Sequence, residues 1–270
     1  MLHENPEHLF HIEYYDHQAR PDDIVLHYDG GRFMMIGGAL PRFAQMVWAI
    51  PQARYLFEMG GERYFWVESI FDYMIDDAEW REIGSFRQIA DQHMGFAAVT
   101  GAQLCRFYQD NIYCGHCGTK REHSDKERAM VCPECKRIIY PKISPVIIVG
   151  ITNGNRLLLT KYANRPNANY ALVAGFCECG ESLEATIARE AMEEVGLKVK
   201  NFRYYTSQPW SFSDTLLMGF YCDVDGDPTP HADGEELAEA TWFERDEIPM
   251  PESTRAMTAR MIEAFKLGEV

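Results

Sequence analysis

Short runs of alternating apolar and polar residues, separated by glycine-centred turns, fill most of this chain. Residues 24–28 and 32–36 flank Asp29-Gly30-Gly31, and residues 54–59 and 64–69 flank Gly60-Gly61. Both read as β-hairpins. Residues 85–108 are largely apolar and helix-compatible despite Gly95 and Gly101. Further on, residues 146–151 and 156–160 flank Asn153-Gly154-Asn155, a third hairpin, and 170–173, 202–207, 216–224 and 239–243 read as strands. Residues 182–195 are rich in Glu, Ala, Leu and Arg with no Pro or Gly, which favours a helix, and Gly196 is placed to stop it. Residues 254–267 carry Met257, Met261, Ile262 and Phe265 at helical spacing and predict a closing helix. The pattern is that of a mixed α/β protein.

The helix over 182–195 lies in the stretch GFCECGESLEATIAREAMEEVGL, residues 175–197. Gly175, Glu181, Arg189, Glu190, Glu193, Glu194 and Gly196 follow the spacing G-x5-E-x7-R-E-U-x-E-E-x-G-U, with Ala191 and Leu197 in the apolar slots U. Glu190, Glu193 and Glu194 stand at i, i+3 and i+4, so a helix places them on one face. Three carboxylates there repel one another, and a hard divalent cation relieves the conflict. A lone ExxEE reads as a solvated acidic face; the added glycines, Glu181 and Arg189 in register change that reading. Gly175 and Gly180 are expected to let the preceding loop turn sharply and approach a ligand.

Cys114-x2-Cys117 and Cys132-x2-Cys135 are separated by the fourteen residues 118–131. Two such knuckles predict a closed, structural zinc site of four thiolates. Disulfides are the competing reading. Cys177 and Cys179, in the box, read as small, partly buried side chains. His8, His11 and His17 read as scattered surface histidines.

The box matches the signature of the Nudix hydrolases. Ser207-Gln208-Pro209-Trp210-Ser211-Phe212-Ser213-Asp214-Thr215 closely resembles the SQPWPFPxS segment of that family's NADH pyrophosphatase branch, which also carries a zinc ribbon just before its Nudix domain. Residues 1–109 read from their hairpins as a mixed α/β domain; the resemblance, which covers the chain from about Arg87 onward, implies 110–142 as zinc ribbon and 143–270 as Nudix α/β/α sandwich. It implies metal-dependent hydrolysis of NAD(H) to NMN(H) and AMP, with a close variant acting on the NAD cap of an RNA 5′ end. Glu190, Glu194, the Ala174 carbonyl and Glu236 are the implied Mg²⁺ or Mn²⁺ ligands, Arg189 orients box glutamates, and Glu193 or Glu194 is the base. Arg87, Glu127, Tyr140 and residues Gln208 to Thr215 are implied substrate contacts, with Trp210 and Phe212 as stacking rings and Gln208 reading polar edges. Ser211 and Ser213 replace two branch prolines, which loosens the segment. This departure leaves another nucleoside diphosphate, such as ADP-ribose, as an alternative substrate. A non-catalytic, nucleic-acid-binding zinc ribbon is a third reading.

Charge bears on that third reading. Lys and Arg total 26 against 41 Asp and Glu, a formal net charge of −15. Such a surface disfavours general nucleic-acid affinity. No run has the length of a membrane-spanning helix, and the first residues suit neither signal nor transit peptide. The chain is therefore expected in the cytoplasm, as a homodimer supported by its N-terminal half.

Overall fold

The computed structural model describes residues 1–4, 9–15, 17–68, 75, 77–163, 169–232, 234–249 and 253–270. His8 and Ser69 lie outside them; His11 and His17 are exposed. The chain divides into two units, one of residues 2–142 with 211–214, the other of Met1, 143–210 and 215–270.

The first unit opens with β1 (Phe10–His11), β2 (Ile24–Leu26), β3 (Tyr28–Asp29), β4 (Arg32–Ile36), β5 (Arg54–Met59), β6 (Glu62–Trp66) and β7 (Ala78–Glu82). The Asp29-Gly30-Gly31 hairpin forms, pairing Tyr28 with Phe33. Residues 24–26 leave it, however, and pair parallel with β6, so the predicted single strand 24–28 is two. The sheets run β1-β5-β6-β2 and β3-β4-β7. A 3₁₀ turn over Ile83–Gln88 precedes α1 (Gln92–Asp110), which therefore starts later than the apolar run suggested. Asp91 sets that start by accepting the Met94 N–H at 3.0 Å. Its two interior glycines are close-approach points: a Cβ at Gly101 would lie 2.2 Å from Leu26 Cδ1, and one at Gly95 2.9 Å from the Phe86 carbonyl oxygen. Leu26, Phe33, Phe57 and Tyr64 pack there with Ala97, Ala98, Ala102 and Cys105. Three two-residue strands follow, β8 (Glu122–His123), β9 (Met130–Val131) and β10 (Ile138–Ile139), antiparallel in the order β10-β9-β8.

The second unit is built on β11 (Ser144–Asn153), β12 (Arg156–Tyr162), β13 (Val173–Phe176), β14 (Val199–Trp210), β15 (Thr215–Val224) and β16 (Leu237–Glu244), with helices α2 (Leu183–Val195) and α3 (Met257–Lys266). Strand order is β14-β15-β11-β12-β16, with β13 also on β11. β11 and β15 are parallel from Ser144↔Thr215 to Thr152↔Asp223. Alternation along β11 feeds two cores. Ile147, Val149 and Ile151 meet Ile187, Ala191 and Val195 of α2, whereas Ile148 joins Met257, Met261, Ile262 and Phe265 of α3. This is the α/β/α sandwich that the resemblance implied, and the helical spacing in 254–267 is the face that α3 buries. No described helix is long and apolar enough to cross a membrane.

Candidate active site and zinc cluster

Helix α2 is fixed at both ends by its own residues. Ser182 Oγ accepts the Ala185 N–H at 3.2 Å. Gly196, at φ +68°, closes the other end, with Gly196 N–H donating to Met192 O and Leu197 N–H to Ala191 O. One side chain organises the face between them. Arg189 Nε and Nη2 donate to the two carboxylate oxygens of Glu181 at 2.7 and 2.9 Å. Nη1 donates to Glu190 at 2.7 Å and Glu193 at 3.0 Å, and Nη2 also reaches the Phe176 carbonyl at 3.0 Å. The Arg189 bond, aided by the Glu178 N–H and the Thr186 hydroxyl, draws the Glu181 carboxyl down to about 2.

The three helix carboxylates are not equivalent. The Glu193 side chain is 59% exposed and that of Glu190 13%, while Glu194 as a residue is 6% exposed. Burial pushes the Glu190 carboxyl up; Arg189 opposes this, and the negative charges of Glu193 and Glu236 add to it. Carboxylate oxygens are the donor chemistry a hard divalent cation takes, and here those of Glu190 and Glu193 are turned to Arg189. Glu190 also explains Gly175. A Cβ there would sit 2.0 Å from Glu190 Oε1, and Gly175 lies within β13, paired with Ile147. Its role is therefore clearance for a carboxylate and not the turn expected; Gly180, at φ +95°, makes the turn. In the intervening loop Cys177 is partly buried against the α2 core and Cys179 is exposed.

The segment from Ser207 continues β14 as far as Trp210, with Gln208 opposite Leu217 and Trp210 opposite Thr215. Pro209 is tolerated because β14 is an edge strand. Gln208 corrects an expectation. It is fully buried, its Oε1 accepts the Met257 N–H at 2.8 Å and its Nε2 donates to Arg255 O at 2.9 Å. Its amide caps α3, satisfying an otherwise orphaned helix donor, and does not stand open as a reader of base edges. Trp210 is half-buried and Thr215 buried. Residues 211–214 belong to the first unit, where Ser211 is buried, Ser213 is exposed and Phe212 packs against the core of α1. Arg106 of α1, which no sequence spacing marked, donates from Nη2 to Ser211 O and Asp214 Oδ1, both at 2.5 Å.

The four cysteines of the ribbon converge, with all sulfurs within 4.8 Å of one another. Cys114 and Cys135 are 3.6 Å apart and Cys117 and Cys132 3.5 Å. A tetrahedral ZnS₄ unit with Zn–S of about 2.3 Å needs S···S of about 3.8 Å, so the cluster fits. The knuckles repeat one geometry. Cys114 N–H donates to Thr119 O and Gly118 N–H to Cys114 O; Cys132 N–H donates to Arg137 O and Lys136 N–H to Cys132 O. Gly118 and Lys136 take the same left-handed φ, +75° and +62°. Backbone N–H groups of Cys117 and His116 draw the Cys114 thiol down to about 6; at Cys135 the Arg137 N–H acts the same way, but desolvation and the neighbouring sulfurs outweigh it and push that thiol up to about 11, so the four sulfurs cannot all ionise together without a cation. Among the described residues this is the group of three or more such side chains whose ligand atoms converge; the box carboxylates turn to Arg189 instead.

A family model for the NUDIX domain matches residues 141–265, and one for the NADH pyrophosphatase zinc ribbon domain matches residues 110–140. The chain is 41% identical over 194 residues to the NAD-capped RNA hydrolase NudC of Shigella flexneri, covering 71% of this chain and 75% of that protein. It is 40% identical, with the same coverage, to the protein of that name from Escherichia coli strain K12 / DH10B. The chain belongs to the Nudix hydrolases. The solved Nudix hydrolase from Nitrosomonas europaea superposes with a TM-score of 0.49 at 24% identity, over 57% of this chain and 90% of that one.

The remaining residues expected of this Nudix hydrolase have definite positions. Ala174 lies in β13 opposite Ile148, next to Gly175. Glu236 is exposed, and its negative charge adds to the upward push on the Glu190 carboxyl. Tyr140 and Glu127 are also brought together, the tyrosine hydroxyl donating to Glu127 Oε1 at 3.0 Å. Arg87 is exposed on the 3₁₀ turn before α1.

Proposed function

We propose that this Nudix hydrolase cleaves the diphosphate of NAD(H) to NMN(H) and AMP, and removes the NAD cap from RNA 5′ ends, which presents the same bond. The observation that carries this reading is the Arg189-centred carboxylate face in one unit with the Trp210 strand end, in a chain that also has the branch's zinc ribbon. The relatives named NAD-capped RNA hydrolase support it.

Glu190, Glu194, Glu236 and the Ala174 carbonyl are the proposed holders of Mg²⁺ or Mn²⁺. When bound there, the cation neutralises the diphosphate and lowers the pKa of water. The chain's own groups do the rest. Arg189 keeps Glu190 and Glu193 in place while Glu181, held ionised, keeps Arg189 in place. Glu193 or Glu194 accepts the proton of the attacking water. The half-buried Trp210 offers its indole ring for stacking on a base or nicotinamide. Arg87, Glu127 and Tyr140 are substrate contacts in the same proposal, with Pro209 and the 211–215 stretch. A zinc ribbon of four cysteines suits a reducing cytoplasm, which is where we place the protein. A homodimer completes the reading, and sedimentation tests it.

The deciding assay incubates the protein and Mn²⁺ or Mg²⁺ with NADH, NAD⁺, ADP-ribose, diadenosine polyphosphates and NAD-capped RNA, and identifies products by mass. NMN(H) with AMP, and 5′-monophosphate RNA, are the expected products. Preferential turnover of ADP-ribose would replace the NAD(H) reading with the other diphosphate.

A further inference from the structure

The turn 211–214 is the place where this chain departs from the branch pattern, with serines for two stiffening prolines. It is nevertheless held. Ser211 is buried, and Phe212 packs on the core that α1 covers. Asp214 has φ +56°, a left-handed conformation that a non-glycine residue holds only where its surroundings offset the strain. Arg106 supplies that fixing. Its Nη2 donates to the Ser211 carbonyl at the start of the turn and to the Asp214 carboxylate at its end, each at 2.5 Å. The guanidinium is itself held from behind, with its carbon 5.9 Å from the centroid of the Tyr28 ring and Nη1 3.5 Å from the Tyr28 hydroxyl. Tyr28 is 6% exposed, and Gln109 Nε2 donates to its carbonyl at 2.7 Å. Burial disfavours the Arg106 charge, but Asp214 and Tyr28 outweigh it and the pKa rises, so the clamp stays cationic at every working pH.

The turn borders a cavity. Asp214 lines a cavity of about 220 Å³ together with Tyr140, Phe107 and Lys142. Tyr140 is among the residues proposed above to contact substrate.

We propose that Arg106 is a positioning residue for substrate: by pinning both ends of the 211–214 turn it replaces the stiffness of the missing prolines and presents Asp214 beside Tyr140. The inference rests on the NAD(H) reading of this segment. It makes the binding of the dinucleotide, and not the chemistry on the box, depend on an arginine far from it in sequence. A loosened turn must be ordered again each time substrate binds, which raises KM, whereas the carboxylates that set kcat are untouched.

The test compares wild type with Arg106→Met, which keeps the apolar stem, and Arg106→Lys, which keeps the charge. Zinc content and melting temperature report folding, amide hydrogen exchange reports the turn, and KM and kcat for NADH report function. Arg106→Met is expected to speed exchange at 211–214 about tenfold or more and to raise KM roughly tenfold, with kcat within about threefold. Arg106→Lys, able to reach one oxygen or the other, is expected to fall between. Unchanged exchange in Arg106→Met would overturn the clamp, and faster exchange with unchanged KM would overturn its role in binding. A kcat loss in folded Arg106→Met as large as the KM change would also overturn it. Wild-type protein that turns over ADP-ribose but not NADH would instead overturn the functional reading, while the exchange arm would still report on the turn.

Discussion

The cysteine cluster of the ribbon and the carboxylate face of the box are built on opposite plans. In the ribbon the four sulfurs converge on one another, and the strands around them are two residues long. In the box the carboxylates have a cation of their own. Arg189 binds Glu181, Glu190 and Glu193, and α2 is capped by Ser182 and Gly196. A cluster without an internal counter-charge needs its metal to exist as a fold. One with an internal arginine is folded beforehand and takes its metal as a working part.

The largest expected effect is loss of zinc. Binding energy of a structural zinc is folding energy, on the order of 10 kcal/mol. Cys117→Ser is expected to lose one zinc per chain by elemental analysis and the exchange protection of residues 114–139. Retained protection without zinc would erase the contrast between the clusters. Next comes Glu194→Gln, expected to cut kcat about 10³-fold or more without lowering the melting temperature appreciably. Near-normal turnover at saturating Mn²⁺ would move the essential carboxylate elsewhere.

What the sequence made legible follows the same division. The cysteine spacing and the box are local patterns, so the ribbon cluster, the span of α2 and its closing glycine were readable from residues close together in the chain, whereas Ser182, read as part of the helix, proves to be its N-cap. The parallel pairing of Ile24–Leu26 with β6 was not, because nothing near residue 24 encodes a partner at Tyr64. The late start of α1 was hidden because the apolar residues of 83–88 serve a 3₁₀ turn as well as a helix. Glu190 and Glu193 look alike in the motif, and only packing against Gly175 separates a buried from an exposed carboxylate. Gln208 sits in a segment that resembles a binding signature, yet its amide caps a helix that starts some fifty residues later. Lys136 stands in a left-handed position that composition would have given to glycine, as at Gly118.

Gly175→Ala probes the preorganised side of the comparison with a smaller push. The new methyl meets Glu190 at 2.0 Å, so the carboxylate must leave its bond with Arg189 Nη1. Overpacking of this kind costs about 1–3 kcal/mol in stability, and displacement of the carboxylate is expected to cut kcat roughly a hundredfold, about 2.7 kcal/mol in the barrier. Gly180→Ala is the control: no atom lies within 4 Å, but φ is +95°. It is expected to lower the melting temperature with a smaller loss of kcat. Equal kcat losses in the two variants would mean that loop conformation, and not clearance for Glu190, is what Gly175 provides.

The smallest effect tests whether α2 stands without its metal. Ser182 Oγ satisfies the Ala185 N–H, and the adjacent Glu181 accepts from Thr186 and the Glu178 N–H, so the first turn is fastened by protein groups alone. Ser182→Ala removes one of these and is expected to cost about 1 kcal/mol, a fall in melting temperature of about 4 °C. Because Arg189 still holds Glu190, kcat in excess Mn²⁺ is expected to stay within about twofold of wild type. The same cap loss is expected whether the measurement is made with EDTA, at a concentration that leaves zinc bound, or with Mn²⁺. Hydrogen exchange over residues 185–195 supplies the decisive reading. If those amides are protected in wild type with EDTA and Ser182→Ala weakens the first turn, the helix is self-supporting. If they exchange freely until Mn²⁺ is added, the carboxylate repulsion exceeds what Arg189 offsets, and the box depends on metal for its fold as the cysteines do.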